Sequence, residues 1–412
     1  MNIIDLFSGA GGLTEGFIRQ DFNAVAHIEM DIHACSTLKT RLLYHKLREN
    51  KINDYYAYIK NEISLNQLFE DNHNLLNEVS QSVINQEIND ESKNNILKII
   101  KNLMKSDDIH HIDGIIGGPP CQAYSCAGRG RDNNNMKNDP RNYLYKHYLS
   151  FLKEFSPDFF VFENVPGMLS AKTDIEIFPD FKKNVEKLGY NISYKLLYAN
   201  DFNVLQKRKR LIFIGHKDEN EYLDFNFKIH DDFKVWDVLK DLPKLSPGEG
   251  LDSSADYTNK ISKYLKETNI RTKKDVVINH SARNHNENDR EIYRRVINAW
   301  NNGHCRLKYD ELPEELITHK NRGSFLDRFK IVAGDLPYSH TVMAHLSKDG
   351  HYFIHPDINQ ARSITVREAA RLQSFPDNYK FEGPRTSQFK QVGNAVPPLM
   401  AESIARNIKI VL

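Results

Sequence analysis

The chain has 412 residues, with 56 Lys and Arg against 55 Asp and Glu, a formal net charge of +1, and 40% hydrophobic residues. That apolar share excludes a mostly disordered chain, the length suits two domains better than one, and no apolar run approaches the roughly 20 residues of a membrane helix. Four scattered cysteines (Cys35, Cys121, Cys126, Cys305) exclude a disulfide scaffold, and Met1–Phe7, which contains Asp5 and has no basic leader, is not a signal peptide.

The expectation is a soluble, reduced, cytoplasmic protein without a membrane partner. Its charge is uneven: residues 1–100 hold nine Lys/Arg and fourteen Asp/Glu, a balance of −5, which leaves +6 for the rest. The densest basic run is Lys207-Arg208-Lys209-Arg210.

In chain order, short apolar runs at Asn2–Phe7, Ala24–Met30, Ile112–Gly117, Asp158–Val165, Tyr194–Ala199 and Leu211–Gly215 predict buried strands. Helical periodicity falls between them near 12–20, 31–48, 143–154 and 178–188. This alternation predicts an α/β fold, a doubly wound, mostly parallel sheet with helices on both faces. Ligands in such sheets sit beyond the carboxyl ends of the strands, so residues ending the strands should carry the chemistry. Residues 65–106 break the rhythm with an Asn-, Gln- and Leu-rich helical pattern, expected to be an inserted helical excursion. From about 231 to 360 the pattern is irregular and predicts a second, smaller domain. After it, Thr365 with Glu368 three residues on forms a capping box that starts a helix.

Three strand ends carry chemically suggestive residues. Asp5-Leu6-Phe7-Ser8-Gly9-Ala10-Gly11-Gly12 runs a strand into a glycine-rich turn and a helix, a cradle for a ligand approaching the backbone closely. Glu29, closing the next strand, is placed for a ribose diol; the glycine spacing is not that of a dinucleotide site, and a nucleoside-type cofactor is favoured over a plain structural turn. Gly117-Gly118-Pro119-Pro120-Cys121-Gln122 fixes the backbone before a cysteine flanked by rigid turn chemistry, which favours a reactive thiol. The following stretch, Ala123–Asn142, is a candidate loop with Gly128 and Gly130 as hinges and Arg129 and Arg131 available for phosphates. Glu163-Asn164-Val165 ends another strand; a carboxylate after the apolar run Phe159–Phe162 is expected to be partly desolvated, which favours its protonated form and a proton-donor role.

Taken together, DLFSGAGG at 5–12, HIEMD at 27–31, GGPPCQ at 117–122, ENV at 163–165, Gln206-x-Arg208-x-Arg210, RSITVREAARLQSFPD at 362–377 and QVGNAVPP at 391–398 resemble, in order, the motifs of the DNA (cytosine-5)-methyltransferases. Only the regions near 65–106 and 235–330 lie outside the resemblance. It implies a Rossmann-like methyltransferase domain over 1–230 plus 385–412, and a target-recognition domain over 231–384. It implies S-adenosyl-L-methionine as cofactor, held by Phe7, Ser8, Gly9, Gly11 and Gly12, with Glu29 on the ribose, Met30 on the adenine, Glu62 on the adenine amino group, Pro119 in the same pocket and Asn394 near the methionine carboxylate.

The same resemblance implies that Cys121 adds to C6 of cytosine, that Glu163 holds the N3/N4 edge, and that Arg210, and to a lesser degree Arg208, holds O2. The target base must leave the duplex to be reached. Gln122, Ser125, Arg129 and Arg131 are then expected at the DNA, as are basic and amide residues of the variable region such as Arg271, Lys273, Lys274, Arg283, Asn284, Arg290, Arg294 and Arg295. His280, His285, His304 and Cys305 fit no standard zinc spacing, so no metal is expected. The compact form resembles bacterial enzymes, working as monomers on double-stranded DNA, that protect it from a restriction endonuclease with which they are paired genetically. Competing readings are a tRNA cytosine methyltransferase, whose recognition region would be shorter, a non-catalytic DNA-binding relative, and a dinucleotide oxidoreductase.

Overall fold

The computed structural model describes residues 1–120, 140–172, 176–218, 233–319, 323 and 326–412, with Pro140 and Arg141 described by backbone alone. The strands are β1 (Asn2–Leu6), β2 (Asn23–Glu29), β3 (Val83–Asn85), β4 (Gly114–Gly117), β5 (Phe159–Asn164), β6 (Asn191–Tyr198), β7 (Gln206–Lys207) and β8 (Lys209–His216). Seven of them form one sheet in the order β3-β2-β1-β4-β5-β8-β6. The first five are parallel, whereas β8 runs antiparallel to both β5 and β6.

Side chains alternate between the two faces of a strand, and the apolar residues follow that period. Ile4, Leu6, Ile115, Phe160, Phe162, Leu211 and Phe213 enter one core. Ile3, Ile116, Phe159, Val161, Ile212 and Ile214 enter the other. The first core is covered by α6 (Lys93–Ser106) and the helices Leu144–Phe155 and Ile177–Lys187; the second by α1 (Gly12–Ile18) and the last helix, Pro398–Val411. The last helix thus packs into the same core as Ile3 of the first strand.

The stretch 65–106 is not wholly helical. After α2 (Ile32–Leu47) and α3 (Ile52–Ile59), α4 (Leu65–Asp71) and α5 (His73–Ser82) lead into β3, which pairs with β2 at the sheet edge before α6 begins. Three residues, Val83-Ile84-Asn85, are too short to show a period of two, and the flanking helical pattern conceals them.

The region after 233 is irregular as expected, built from short helices, two-residue strands and one long helix, Glu287–Gly303. Ile292, Tyr293, Val296, Ile297, Tyr309 and Phe329 give it a core of its own. A further cluster joins Val235, Val238, Tyr264 and Ile270 to Val366, Phe375 and Tyr379, and also to Ala10, Leu205, Phe389 and Val392. The two halves of the chain therefore share packed core.

Helix Val366–Leu372 is buried along its whole length, and its capping box forms, with Glu368 N–H donating to Thr365 Oγ1 at 3.2 Å and Thr365 N–H to Glu368 Oε2 at 2.7 Å. Arg362, Arg367 and Arg371 are fully buried around it. Arg362 pairs with Glu368 at 2.7 Å, Arg371 with Asp241 at 2.5 Å and with Asp377 at 2.6 Å, and Arg367 donates to the carbonyls of Ile278, Pro376 and Tyr379.

Candidate active site

The parallel strands end side by side, and the motif residues gather at those ends. Beyond β1 the chain turns sharply: Phe7 and Gly9 have positive φ, and Gly11, at φ 80°, caps α1, which opens at Gly12. Ser8 holds the turn in place, its N–H donating to the Ile28 carbonyl at 3.0 Å and its hydroxyl to the Asp5 carbonyl at 2.9 Å. Gly9 N–H donates to Glu29 Oε2 at 2.8 Å, and Asp31 N–H to Oε1 at 2.8 Å. Each Glu29 oxygen so keeps lone-pair capacity for a further donor. Burial pushes the Glu29 carboxyl above its ordinary value, against the pull of those backbone bonds.

Next in the chain, Met30 is 61% exposed, an apolar side chain standing open at a strand end. Asn394 is exposed at the end of helix Arg385–Asn394. The segment after it lies against α1, where a Cβ on Gly12 would sit 2.4 Å from the Val396 carbonyl oxygen. Phe7, Ser8, Gly9, Gly11, Gly12, Glu29 and Met30 thus lie together at the ends of β1 and β2, with the segment after Asn394 against Gly12.

Glu62 was expected at the adenine amino group. It lies exposed in the turn after α3, with its N–H on the Ala57 carbonyl. The strand beside Glu29 is β3, in which Asn85 stands opposite Glu29 and donates through Nδ2 to the carbonyls of Glu29 at 3.1 Å and Met30 at 3.0 Å. Parallel pairing puts the residues after β3, Gln86 and Glu87, beside the end of β2. The signal was the small apolar pair Val83-Ile84 followed by amides, masked by the helices on either side.

The second cluster lies at the ends of β4 and β5. Gly117 has φ 143°, and a Cβ there would come within 2.0 Å of the Leu6 carbonyl oxygen. A Cβ on Gly118 would sit 2.4 Å from the Glu163 carbonyl oxygen and 2.7 Å from its Oε2. Only glycine admits so close an approach of the two strand ends. Pro119 is buried, and its carbonyl accepts from Asn164 Nδ2 at 3.4 Å, while Asn164 Oδ1 accepts from Val165 N–H at 2.8 Å. Asn164, not singled out from the sequence, thus ties the proline turn to the end of β5. Cys121, Gln122, Ser125, Arg129 and Arg131 lie outside the described residues.

Glu163 is not isolated among apolar side chains. Arg210 Nε stands 2.6 Å from its Oε1, with both side chains mostly covered, at 13% and 14% exposure. The pairing follows from register: Glu163 lies opposite Ile212 on antiparallel β8, and Arg210 is two residues earlier on the same face. The pair sits beside Gly118, three residues before Cys121 in the chain.

Arg208, two residues from Arg210, does not reach for a ligand. It is fully buried, and its guanidinium donates to the carbonyls of Val342 at 2.8 Å, Gly393 at 3.0 Å and Asn394 at 3.4 Å. Arg208, expected at the cytosine, here links the variable region to the segment carrying Asn394. Gln206 makes a parallel link, accepting from Val342 N–H at 2.8 Å and donating to Gln373 Oε1 at 2.7 Å.

Comparison with known proteins agrees with this geometry. The family described as C-5 cytosine-specific DNA methylase matches over residues 1–77 and 56–410. The type II methyltransferase M.Bpa9945I of Bacillus paralicheniformis is 43% identical, over 100% of this chain and 99% of its own. M1.HphI of Haemophilus parahaemolyticus is 32% identical, over 99% of this chain and 86% of its own. Among solved structures, a protein of an E. coli prophage described as a candidate DNA modification methyltransferase superposes with a TM-score of 0.65 at 25% identity, covering 100% of this chain and 99% of its own. A glycine-rich turn at the strand ends, a Glu–Arg pair beside Gly118 and a family match over nearly all residues lead to one conclusion: the chain belongs to the C-5 cytosine-specific DNA methylase family and is a DNA (cytosine-5)-methyltransferase.

Proposed function

We propose that the protein transfers a methyl group from S-adenosyl-L-methionine to C5 of a flipped-out cytosine within a specific duplex DNA sequence, and that it protects DNA from a partner restriction endonuclease. The observation that carries the reading is the Glu163–Arg210 pair held against the glycine that leads into Pro119-Pro120-Cys121. The protective role rests on the likeness to type II methyltransferases.

The cofactor crevice fits a nucleoside. Glu29, fixed by two backbone N–H groups and partly desolvated, suits the two hydroxyls of a ribose. The open side chain of Met30 suits an adenine face, and the turn Phe7–Gly12 with Asn394 suits the amino-acid end. When bound, S-adenosyl-L-methionine supplies an electrophilic methyl group on a sulfonium.

Everything else falls to the chain's own residues. C5 of cytosine is a weak nucleophile within an aromatic ring. In the proposed reaction the Cys121 thiolate forms a bond to C6; the C5=C6 electron pair moves to C5, which takes the methyl group. Glu163 hydrogen-bonds the N3/N4 edge and stabilises the charge that builds there, while Arg210 orients Glu163 and faces O2. Loss of the C5 proton then restores the C5=C6 bond as the cysteine–C6 bond breaks and the thiolate leaves. Arg208 and Gln206 act as positioning residues, joining the proposed recognition domain over 231–384 to the catalytic residues. None of this can occur inside a stacked duplex, so the base must leave the helix, at a cost of a few kcal/mol.

The test is methyl transfer from isotopically labelled S-adenosyl-L-methionine to duplex DNA, with the digested nucleosides separated. Label in 5-methylcytosine, lost in Cys121→Ser and reduced at least a hundredfold in Glu163→Gln, is the expected result. Label in another nucleoside, undiminished transfer by Cys121→Ser, or transfer to tRNA alone would overturn the reading.

A further inference from the structure

Several basic residues of the variable region are already neutralised within the protein. Arg271 pairs with Asp241 at 2.5 Å, Arg290 and Arg294 each with Glu287 at 2.9 Å, and Arg295 with Glu291 at 2.8 Å. Arg283 differs. Its Nη2 donates to the Leu346 carbonyl at 3.0 Å and its guanidinium lies 5.9 Å from the centre of the Phe389 ring; its Nε, like those of Arg271 and Arg290, is buried without a partner among the described residues.

A second arginine shares the place. Arg385, half-buried at the start of helix Arg385–Asn394, donates through Nη1 to the carbonyl of Ala282, the residue before Arg283, at 3.0 Å. Among the described residues neither arginine lies within ion-pair distance of a carboxylate, and the acid that acts on Arg283 across space, Asp349, stands 3.8 Å from Arg328. Burial first, and then the charge of Arg385, lower the proton affinity of Arg283.

Two half-buried guanidiniums, one beside the other's preceding carbonyl, with carbonyl acceptors and an aromatic ring but no carboxylate in ion-pair contact among the described residues, form an unfavourable arrangement until an anion joins them. The preferred anion of such a fork is a phosphate, which takes parallel N–H···O bonds from arginine. The surroundings suit a polyanion that continues past the fork: Thr386 and Lys390, four apart on the same helix, are exposed. The location suits the target strand. At its far end this helix carries Asn394, and a Cβ on Gly393 would lie 2.3 Å from the backbone nitrogen of Ala344, in the segment whose Val342 carbonyl is held by Arg208.

We propose that Arg283 and Arg385 together clamp a phosphodiester of the target DNA. The clamp rests on the DNA-methylating reading above and adds a contact from helix Arg385–Asn394, outside the variable region where recognition was expected.

The experiment measures binding of the full chain to a duplex carrying the sequence it methylates, from roughly 50 to 200 mM salt. In the double variant Arg283→Gln/Arg385→Gln the slope of log affinity against log salt should fall by about 1 for each phosphate no longer neutralised. KM for DNA should rise about tenfold, and KM for S-adenosyl-L-methionine should stay unchanged. Arg283→Lys/Arg385→Lys, which keeps the charges, should retain most of the slope. An unchanged slope and affinity in a Gln variant that melts like the parent would overturn the clamp. So would weaker binding with the parental slope, because it would assign the arginines to folding or base contact. A parent protein that neither binds nor methylates duplex DNA would instead overturn the functional reading itself.

Discussion

The strand-end crevice and the region around helix Val366–Leu372 are built by opposite means. At the strand ends an apolar sheet core holds a few polar groups at its rim: Glu29 keeps lone pairs to spare, Met30 stands open, and Glu163 meets Arg210 at the surface of the core. Around the helix, charges go to the bottom. Arg362, Arg367 and Arg371 are fully buried and answered by Glu368, Asp241, Asp377 and backbone carbonyls. The rim is arranged for a ligand and leaves bonds to make. The buried network is arranged for itself, so changes there should cost stability while changes at the rim should cost function.

The largest expected effect falls on the network. Arg371→Ala takes from buried Asp241 and Asp377 the cation they share, leaving Arg271 on one and Tyr257 with Arg367 on the other, and should cost about 3 kcal/mol, read as a lower urea midpoint. A loss under about 1 kcal/mol would show that the two acids find other partners.

At the rim, Glu29→Gln should weaken S-adenosyl-L-methionine binding by roughly 1.5–3 kcal/mol, tenfold or more, by losing charge-assisted bonds. The fold should lose far less: burial raises the Glu29 carboxyl, so its ionised form opposes folding at neutral pH, and the neutral amide removes that cost against the acceptor it gives up to one of the Gly9 and Asp31 N–H groups. Titration calorimetry with parallel melting curves separates the two effects, and a destabilised Gln variant would erase the contrast between the regions.

Acid should separate them further. Burial, the largest cause, lowers His280 from 6.5 to about 4 and His355 from 6.5 to about 3. Below pH 6.5 the unfolded chain takes up protons that these buried rings refuse. Their contribution is therefore complete above that pH and falls by about 1.4 kcal/mol per pH unit for each ring, down to their folded values. The sign for Glu29 is reversed: with a raised carboxyl, its contribution is fullest below its unfolded value and is lost as pH rises through the folded one. Urea unfolding at about pH 7 and about pH 5 should show net proton uptake on unfolding, reduced in His280→Asn. The smallest effect belongs to Thr365→Ala, which removes the cap of helix Val366–Leu372 at a cost of about 1 kcal/mol.

The same contrast explains what could be read from the sequence. Strands β1, β2, β4, β5 and β8 bury both faces and appear as continuous apolar runs, and their ends carry the motif residues. β3 was missed because three residues carry no period. The buried arginines could not be foreseen: in a linear sequence Arg367 and Arg371 look like a solvated helix face, and only the fold brings Asp241, 130 residues away, to Arg371. Likewise Arg208 and Arg210 share one motif, yet one turns toward carbonyls inside and the other toward Glu163.

The most direct test of the account is a covalent trap. In duplex DNA bearing 5-fluorocytosine at the methylated position, C5 carries fluorine in place of the proton whose loss frees the cysteine. With S-adenosyl-L-methionine present, the account predicts an adduct that survives denaturation, and mass analysis of its peptides should find the methylated base on Cys121. Full methylating activity on ordinary DNA with no adduct on the fluorinated duplex, or an adduct at another residue, would contradict it.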